Sequence, residues 1–395
     1  MTPIPDIEDI LARLVAFPTI SRNSNLALLD MVEGLLGPAG VRLERFHSED
    51  GTRSNLWASL GPGGSGGILL SGHSDVVPVE GQDWTGDPFR LRAEEGRLYG
   101  RGTADMKGFL AVAIHAMLRA ASRPLARPLH LAISYDEEIG CLGVRGMLDV
   151  LGTRPERPAL CIIGEPTGMR IANGHKGKRA LRACCHGQEG HSAMAPDALN
   201  ALHLGAAFIA RLQDRQDQLR ATGARDDAYD IPYSTVHVGV MHGGTALNIV
   251  PNRCDLDFEI RNVAGEDPDA ILAGIAEDAE AAAAPHRNRF PDARIEIEAV
   301  SGYPGLETAA DSPAVALLQS LLGRNDPLIK VAFGTEGGLF QDALGVPTLV
   351  CGPGHMAQGH KPDEFVSRDQ LAECARLLAA ITDELEGSAS PALTN

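Results

Sequence analysis

The chain contains no C-x-x-C pair. Its seven cysteines, at positions 141, 161, 184, 185, 254, 351 and 374, are odd in number and scattered. That spacing excludes a zinc ribbon and argues against a disulfide framework, so a reduced, cytoplasmic setting is expected. No basic block interrupts the acidity, and the formal net charge is -17. Such a surface disfavours nucleic acid and anionic membranes as partners. No apolar run reaches the length of a membrane span. The first residues, MTPIPDIEDILARLVAF, are acidic and amphipathic. They lack a basic leader, a long apolar core and a small-residue cleavage site, so they do not read as a signal peptide. No internal repeat is visible.

What remains is a globular composition, with 44% apolar and 22% charged residues. At 395 residues the chain exceeds what one compact core usually holds, so two domains are expected. Helical spacing is read over 5–17 and 26–38, the second ended by Gly-Pro. RLERFH and NLWASL read as strands, and GPGGSGG at 61–67 as a hairpin-like turn. That glycine run formally fits G-x-G-x-x-G, but it leads into a strand and not a helix, which argues against a dinucleotide site. A buried strand follows at 68–73, then a long loop over 80–103. A helix over 106–121 is opened by Thr103 or Asp105. Strands at 129–135 and 159–164 flank a short helix at 143–151. Strands alternating with helices predict an α/β layer with a mostly parallel mixed sheet between helices.

Near residue 178 the pattern changes. Strand 178–187, helix 197–213, strands 234–243 and 253–261, helix 266–284 and strand 293–300 give the order β-α-β-β-α-β, a split ferredoxin-like α+β unit. The reading is therefore a first domain of residues 1–177 and 304–395 with residues 178–303 inserted as a second. After the insert, helix 312–323, strand 346–351 and helix 367–386 resume the first pattern. The closing SASPALTN reads as a frayed polar tail.

Ligands of such sheets bind beyond the carboxyl ends of strands. His73, Asp75, Asp105, Glu137, Glu138, Glu165 and His360 gather at strand ends, a helix start and a glycine-rich loop. His73 and Asp75 share a face because a strand alternates with a period of two. Each residue also has a plainer reading. Asp105 serves equally as an N-cap, Glu137-Glu138 as a solvated turn, Glu165-Pro166 as a strand end, and His355 competes with His360. Together, five converging carboxylates would repel one another without a cation. Two imidazoles among them suit zinc, cobalt or manganese better than magnesium or calcium.

GHSDVVPV, GRGTADMKG, SYDEEIG, IIGEPT, GHSAMAP and GHKPDEF occur in that order over nearly the whole chain. In these blocks the sequence resembles the M20 metallopeptidase superfamily of aminoacylases and deacylases. GQDWTGDPF, GEPTGMRIANGHKG and FGTEGGLFQ resemble its acetylornithine deacetylase branch, related to succinyl-diaminopimelate desuccinylase. The resemblance implies two zinc ions, with cobalt or manganese as substitutes. His73 and Glu165 would hold the first, Glu138 and His360 the second, and Asp105 would bridge them. Asp75 would orient His73, and Glu137 would be the general base. His191 would stabilise the oxyanion from the partner subunit of a homodimer, which the insert would join while also serving as a lid. Asn248 and Arg261 would hold the substrate carboxylate, assisted by Arg179, and Glu336 would pair with a substrate ammonium. The implied reaction is hydrolysis of an N-acyl amino acid, foremost N2-acetyl-L-ornithine, in arginine biosynthesis. A desuccinylase, a broad aminoacylase, a carboxypeptidase-like enzyme and a noncatalytic scaffold of the same fold are the alternatives.

Overall fold

The computed structural model describes residues 3–387; the SASPALTN tail lies outside them. The chain divides into two compact units. The first comprises residues up to Gly174, Leu306–Val331 and the chain from Thr335 onward, and the second His175–Gly305 with Ala332–Gly334.

The first unit is built on a nine-stranded mixed sheet. At its centre Leu129–Ser134, Ile68–His73, Leu160–Pro166 and Thr348–Gly352 lie side by side in parallel. All six residues of Ile68–His73 are buried, as the unbroken apolar run required, because a parallel strand is covered on both faces. Helix Lys107–Ala120 presses onto this centre. Two glycines permit the approach: a Cβ on Gly164 would lie 2.0 Å from the Phe109 ring, and one on Gly72 2.7 Å from Met106 Cε. Helix Ile7–Val15 is capped by Asp6, whose Oδ1 accepts from Asp9 N at 2.7 Å, and it buries Ile10, Leu11, Leu14 and Val15. Among the described residues no helix is long and apolar enough to cross a membrane.

Several elements differ from the sequence reading. The glycine run 61–67 does not close a hairpin, because Leu129–Ser134 lies between Ser54–Leu60 and Ile68–His73. Helix Gly337–Leu344 was not anticipated, since it starts on two glycines, the poorest helix formers after proline. The loop 80–103 holds two short strands, Arg92–Glu94 and Arg97–Tyr99, which pair with each other. Phe365–Ser367 adds to their edge.

The second unit is a four-stranded antiparallel sheet in the order Thr235–Gly243, Arg253–Asn262, Gly177–His186, Arg294–Tyr303. Helices Ala201–Thr222 and Pro268–Ala283 complete the ferredoxin-like order. Alternation along Arg253–Asn262 puts Cys254, Leu256, Phe258 and Ile260 into the core that these helices cover. The first of these helices begins later than expected. Residues Ser192–Asp197, with Pro196 inside, form a 3-10 turn. Asn200 then caps the helix by accepting from Leu202 N at 2.9 Å. It continues to Thr222 through a polar stretch that buries only Leu212 and Leu219, too few apolar positions to show a period.

Candidate metal centre

The parallel strands deliver their side chains to one end of the central sheet. His73 is the last residue of its strand, and its Nδ1 lies 2.9 Å from the backbone oxygen of Asp75. This contact turns Nε2 toward Asp105 Oδ1 at 3.0 Å and Glu165 Oε1 at 3.6 Å. Glu165 sits in the neighbouring strand Leu160–Pro166. On the other side, His360 Nε2 lies 3.0 Å from Glu138 Oε2 and 3.3 Å from Asp105 Oδ2. Asp105 thus shows one oxygen to each imidazole. It does not cap the following helix: the N-cap residue is Met106, and no side chain caps there. His355 is not part of the cluster; its Nε2 lies 3.0 Å from Gln370 Nε2.

Two groups of potential ligand atoms each fall within 4.8 Å of one another, His73 with Glu137 and Glu165, and His73 with Asp105 and Glu138. Glu138 Oε1 and Glu165 Oε2 are buried without a hydrogen-bond partner. Unpaired buried carboxylate oxygens are costly unless a cation meets them. The electrostatics point the same way. Burial first, then the neighbouring acids, push Glu137 and Glu165 well above the usual carboxylate range. The same causes raise Glu138 to about 7. Burial opposes charge on His73, yet its bonds to Asp105 and Asp75 raise it well above the usual imidazole value. Bonds to Asp105 and Glu138 bring His360 to about 10. Protons are here drawn to a site whose negative charge exceeds its positive charge, and a divalent cation would answer the same excess. Neutral imidazole and carboxylate oxygen are the donor set of zinc-type ions.

Residues outside the cluster hold it in place. The Asp75 carboxylate is 3.5 Å from His73 Nδ1. Its nearer partners are the backbone N–H of Glu137 at 3.0 Å, the Ser21 hydroxyl at 2.7 Å and the backbone N–H of Glu138 at 3.3 Å. Asp75 therefore fixes the Glu137-Glu138 turn, while its main-chain oxygen orients His73. The Cys141 thiol donates to Glu137 Oε1 at 3.3 Å. Glu364, fully buried, accepts from the backbone N–H groups of Gly102, Ala104 and Asp105 at 3.0, 2.8 and 3.1 Å. Ser21, Cys141 and Glu364 were not singled out in the sequence, although Glu364 stands inside the GHKPDEF block.

Glu336 belongs to the same unit and is only 2% exposed. Burial raises it to about 7, and its Oε1 has no hydrogen-bond partner. The remaining named residues lie in the second unit. His191 is exposed, and its Nδ1 accepts from Ala193 N at 3.1 Å. The bridge between His191 and Ile249, with Ser192 N bonded to Asn248 O at 3.0 Å, makes His191 and Asn248 neighbours. Arg261 already uses its guanidinium, bonding Glu259 Oε1 at 3.0 Å and the Tyr303 hydroxyl at 2.8 Å. Arg179 stands 4.0 Å from Asp269, on the strand that pairs with that of Arg261.

The candidate ligands gather at the carboxyl ends of parallel strands, the place where sheets of this kind bind their ligands. The profile of peptidase family M20/M25/M40 matches residues 69–384. Acetylornithine deacetylase of Proteus mirabilis is 36% identical over 391 residues, covering 96% of this chain and 97% of its own. That of Pasteurella multocida is 34% identical over 390 residues, covering 96% and 98%. Among solved structures, an M20 family metallo-carboxypeptidase from Sulfolobus solfataricus superposes with a TM-score of 0.78 at 19% identity, covering 97% of this chain and 99% of that one. A dinuclear metal binding M20 peptidase from Bacillus subtilis superposes at 0.68 with 13% identity, covering 95% and 96%. The chain belongs to peptidase family M20/M25/M40.

Proposed function

We propose that this protein hydrolyses the amide bond of an N-acyl amino acid, foremost N2-acetyl-L-ornithine to L-ornithine and acetate, using two divalent cations. The observation that carries the reading is Asp105, whose two oxygens face His73 and His360 separately. His73 and Glu165 would hold one ion, Glu138 and His360 the other, with Asp105 between them. Zinc suits this donor set, and cobalt or manganese would substitute. When bound, such a pair polarises a carbonyl and makes water acidic enough to ionise near neutral pH.

Glu137 is the general base of the proposal. It takes a proton from the attacking water and later hands it to the departing nitrogen. The bonds from Cys141 and, through the backbone, to Asp75 keep it in place. His191 of the partner subunit would stabilise the oxyanion, and Asn248, Arg261 and Arg179 would receive the substrate carboxylate. For Arg261 that means sharing or exchanging its Glu259 partner. The unpaired, buried Glu336 Oε1 is assigned to the substrate ammonium.

A homodimer formed through the second unit is part of this reading. Strand Thr235–Gly243 is an edge of its sheet, and Val240, Met241, Leu247 and Ile249 are exposed. An unpaired apolar edge is suited to a second copy of itself. The similarity to the two acetylornithine deacetylases supports arginine biosynthesis as the setting, and the scattered free cysteines support a reducing cytoplasm.

The test is hydrolysis by the purified protein, chelated and reloaded with zinc or cobalt, of N-acetyl-L-ornithine, N-succinyl-diaminopimelate and N-acetyl-L-methionine side by side. Preference for acetylornithine that vanishes on chelation supports the proposal. Preference for another substrate moves the assignment to a sister activity, and metal-independent turnover overturns the mechanism. In the same panel Glu336→Gln should raise KM for acetylornithine far more than for acetylmethionine. Equal effects would remove Glu336 from substrate recognition.

A further inference from the structure

His360 is the least enclosed of the residues assigned to the metals: its side chain is 50% exposed, against 4% for Asp105. It sits at a left-handed φ of 60° in a loop with glycines at 354 and 359, and such a loop does little to fix a side chain. Something else must hold it opposite Asp105.

The structure shows a continuous set of hydrogen bonds between the two loops. Gln82 Nε2 donates to the backbone oxygen of His360 at 3.1 Å. Gln82 Oε1 accepts from Arg101 Nη2 at 2.5 Å and from Trp84 Nε1 at 3.1 Å. The Arg101 guanidinium lies 4.9 Å from the centre of the Trp84 ring, a cation–π contact. Its Nη1 bonds Glu364 Oε2 at 2.7 Å, and both side chains are 1% exposed. The other Glu364 oxygen accepts from Asp105 N at 3.1 Å. The path His360–Gln82–Arg101–Glu364–Asp105 thus joins the backbones of two proposed ligands that are far apart in sequence. Neither Gln82 nor Arg101 touches the cluster of ligand atoms.

We infer that Gln82 is a positioning residue for the second metal ion. Glu364, four residues on from His360 in the same segment, is anchored to Arg101 and to the Asp105 backbone, and Arg101 also reaches the Lys361 oxygen at 3.4 Å. Gln82 fixes the His360 end of that segment, which sets the spacing of His360 from Asp105. Nothing comparable links Gln82 to His73 or Glu165, whose positions come from their strands. The consequence is selective. Loss of Gln82 weakens the ion held by Glu138 and His360 and spares the one held by His73 and Glu165. Residues that orient a ligand from behind typically change metal affinity by about 10- to 100-fold.

The inference rests on the two-ion reading above, and a titration separates the two. Metal-free full-length protein is titrated with Co2+ by calorimetry and by visible absorption, as wild type, Gln82→Leu and Gln82→Glu. Gln82 is partly exposed on a loop, and thermal melts of the metal-free variants check the fold. The wild type is expected to take two ions in separable steps. Gln82→Leu should weaken the second by at least about tenfold and leave the first unchanged. Gln82→Glu still accepts from Arg101 and Trp84 but has no proton for the His360 oxygen, so it should behave like Gln82→Leu. An unchanged second step, equal weakening of both steps, or wild-type behaviour of Gln82→Glu overturns the inference while leaving two-ion binding intact. A wild type that takes a single ion overturns the two-ion reading and this inference with it.

Discussion

Glu137 and Glu138 are adjacent yet differently held. Glu138 reaches His360 at 3.0 Å, whereas Glu137 is met by the Cys141 thiol and also lies within ligand reach of His73 and Glu165. The geometry alone therefore leaves it open to either duty, and substitution separates them. Glu137→Ala should retain both ions by elemental analysis and lose nearly all turnover, by about 10²-fold or more if it moves protons. Retained turnover, or loss of an ion, would assign it elsewhere. At this scale the proposed ligands were legible in the sequence as a group, because each ends a buried strand or sits in a glycine-bounded block, a local pattern; their separate duties came only from the family resemblance. The groups that hold them were not. Ser21 bonds Asp75 from 54 positions away, and Glu364 bonds the Asp105 backbone from 259 away. A side chain that accepts from a distant main chain leaves no trace in spacing or periodicity. The Asp75 carboxylate shows a second limit. Alternation placed it correctly beside His73, but could not say that its nearer partners would be the backbone of Glu137 and Glu138.

Among the elements, the alternating strands and helices of both units followed from hydrophobic period, and the order β-α-β-β-α-β from the change of period near residue 178. Pairing did not follow, as the strands either side of the 61–67 glycines show. The packing of helix Lys107–Ala120 depends on two side chains that are missing. Gly164→Ala would drive a methyl into the Phe109 ring, so overpacking should cost about 1–3 kcal/mol, read as a lower denaturant midpoint. Because Glu165 is the next residue, cobalt affinity should fall with it. His130 on strand Leu129–Ser134 gives a pH signature far from any proposed ligand. Its ring stacks on Trp57 at 4.8 Å, its Nδ1 is buried without a partner, and burial lowers it to about 4. The unfolded chain then binds a proton below about pH 6.5 that the folded chain refuses until about pH 4. Stability is full above that window and falls as pH drops through it, by at most about 3 kcal/mol. His130→Phe should keep the stacking and remove this share of the acid sensitivity, measured as the difference in Tm between pH 7 and pH 5. An unchanged pH slope would show that His130 takes up its proton in the folded state.

For the whole molecule, the decisive question is whether one subunit completes the site of another. The first unit supplies every proposed metal ligand and the proposed base, while the second carries His191 and Asn248 side by side next to exposed apolar residues. A site shared between subunits can be tested without knowing how they are arranged. His191→Ala and Glu137→Ala should each be nearly inactive alone. If His191 serves the partner's cleft, a hybrid dimer contains one cleft with both Glu137 and an incoming His191, and one with neither. Random mixing makes half of the dimers hybrids, so unfolding and refolding the two variants together should restore about a quarter of wild-type turnover. A charge placed on the exposed edge, as in Val240→Lys with Met241→Asp, should halve the mass seen by light scattering and abolish that recovery. If instead His191 acts within its own subunit, mixing restores nothing, because every cleft then carries one of the two lesions whatever its neighbour.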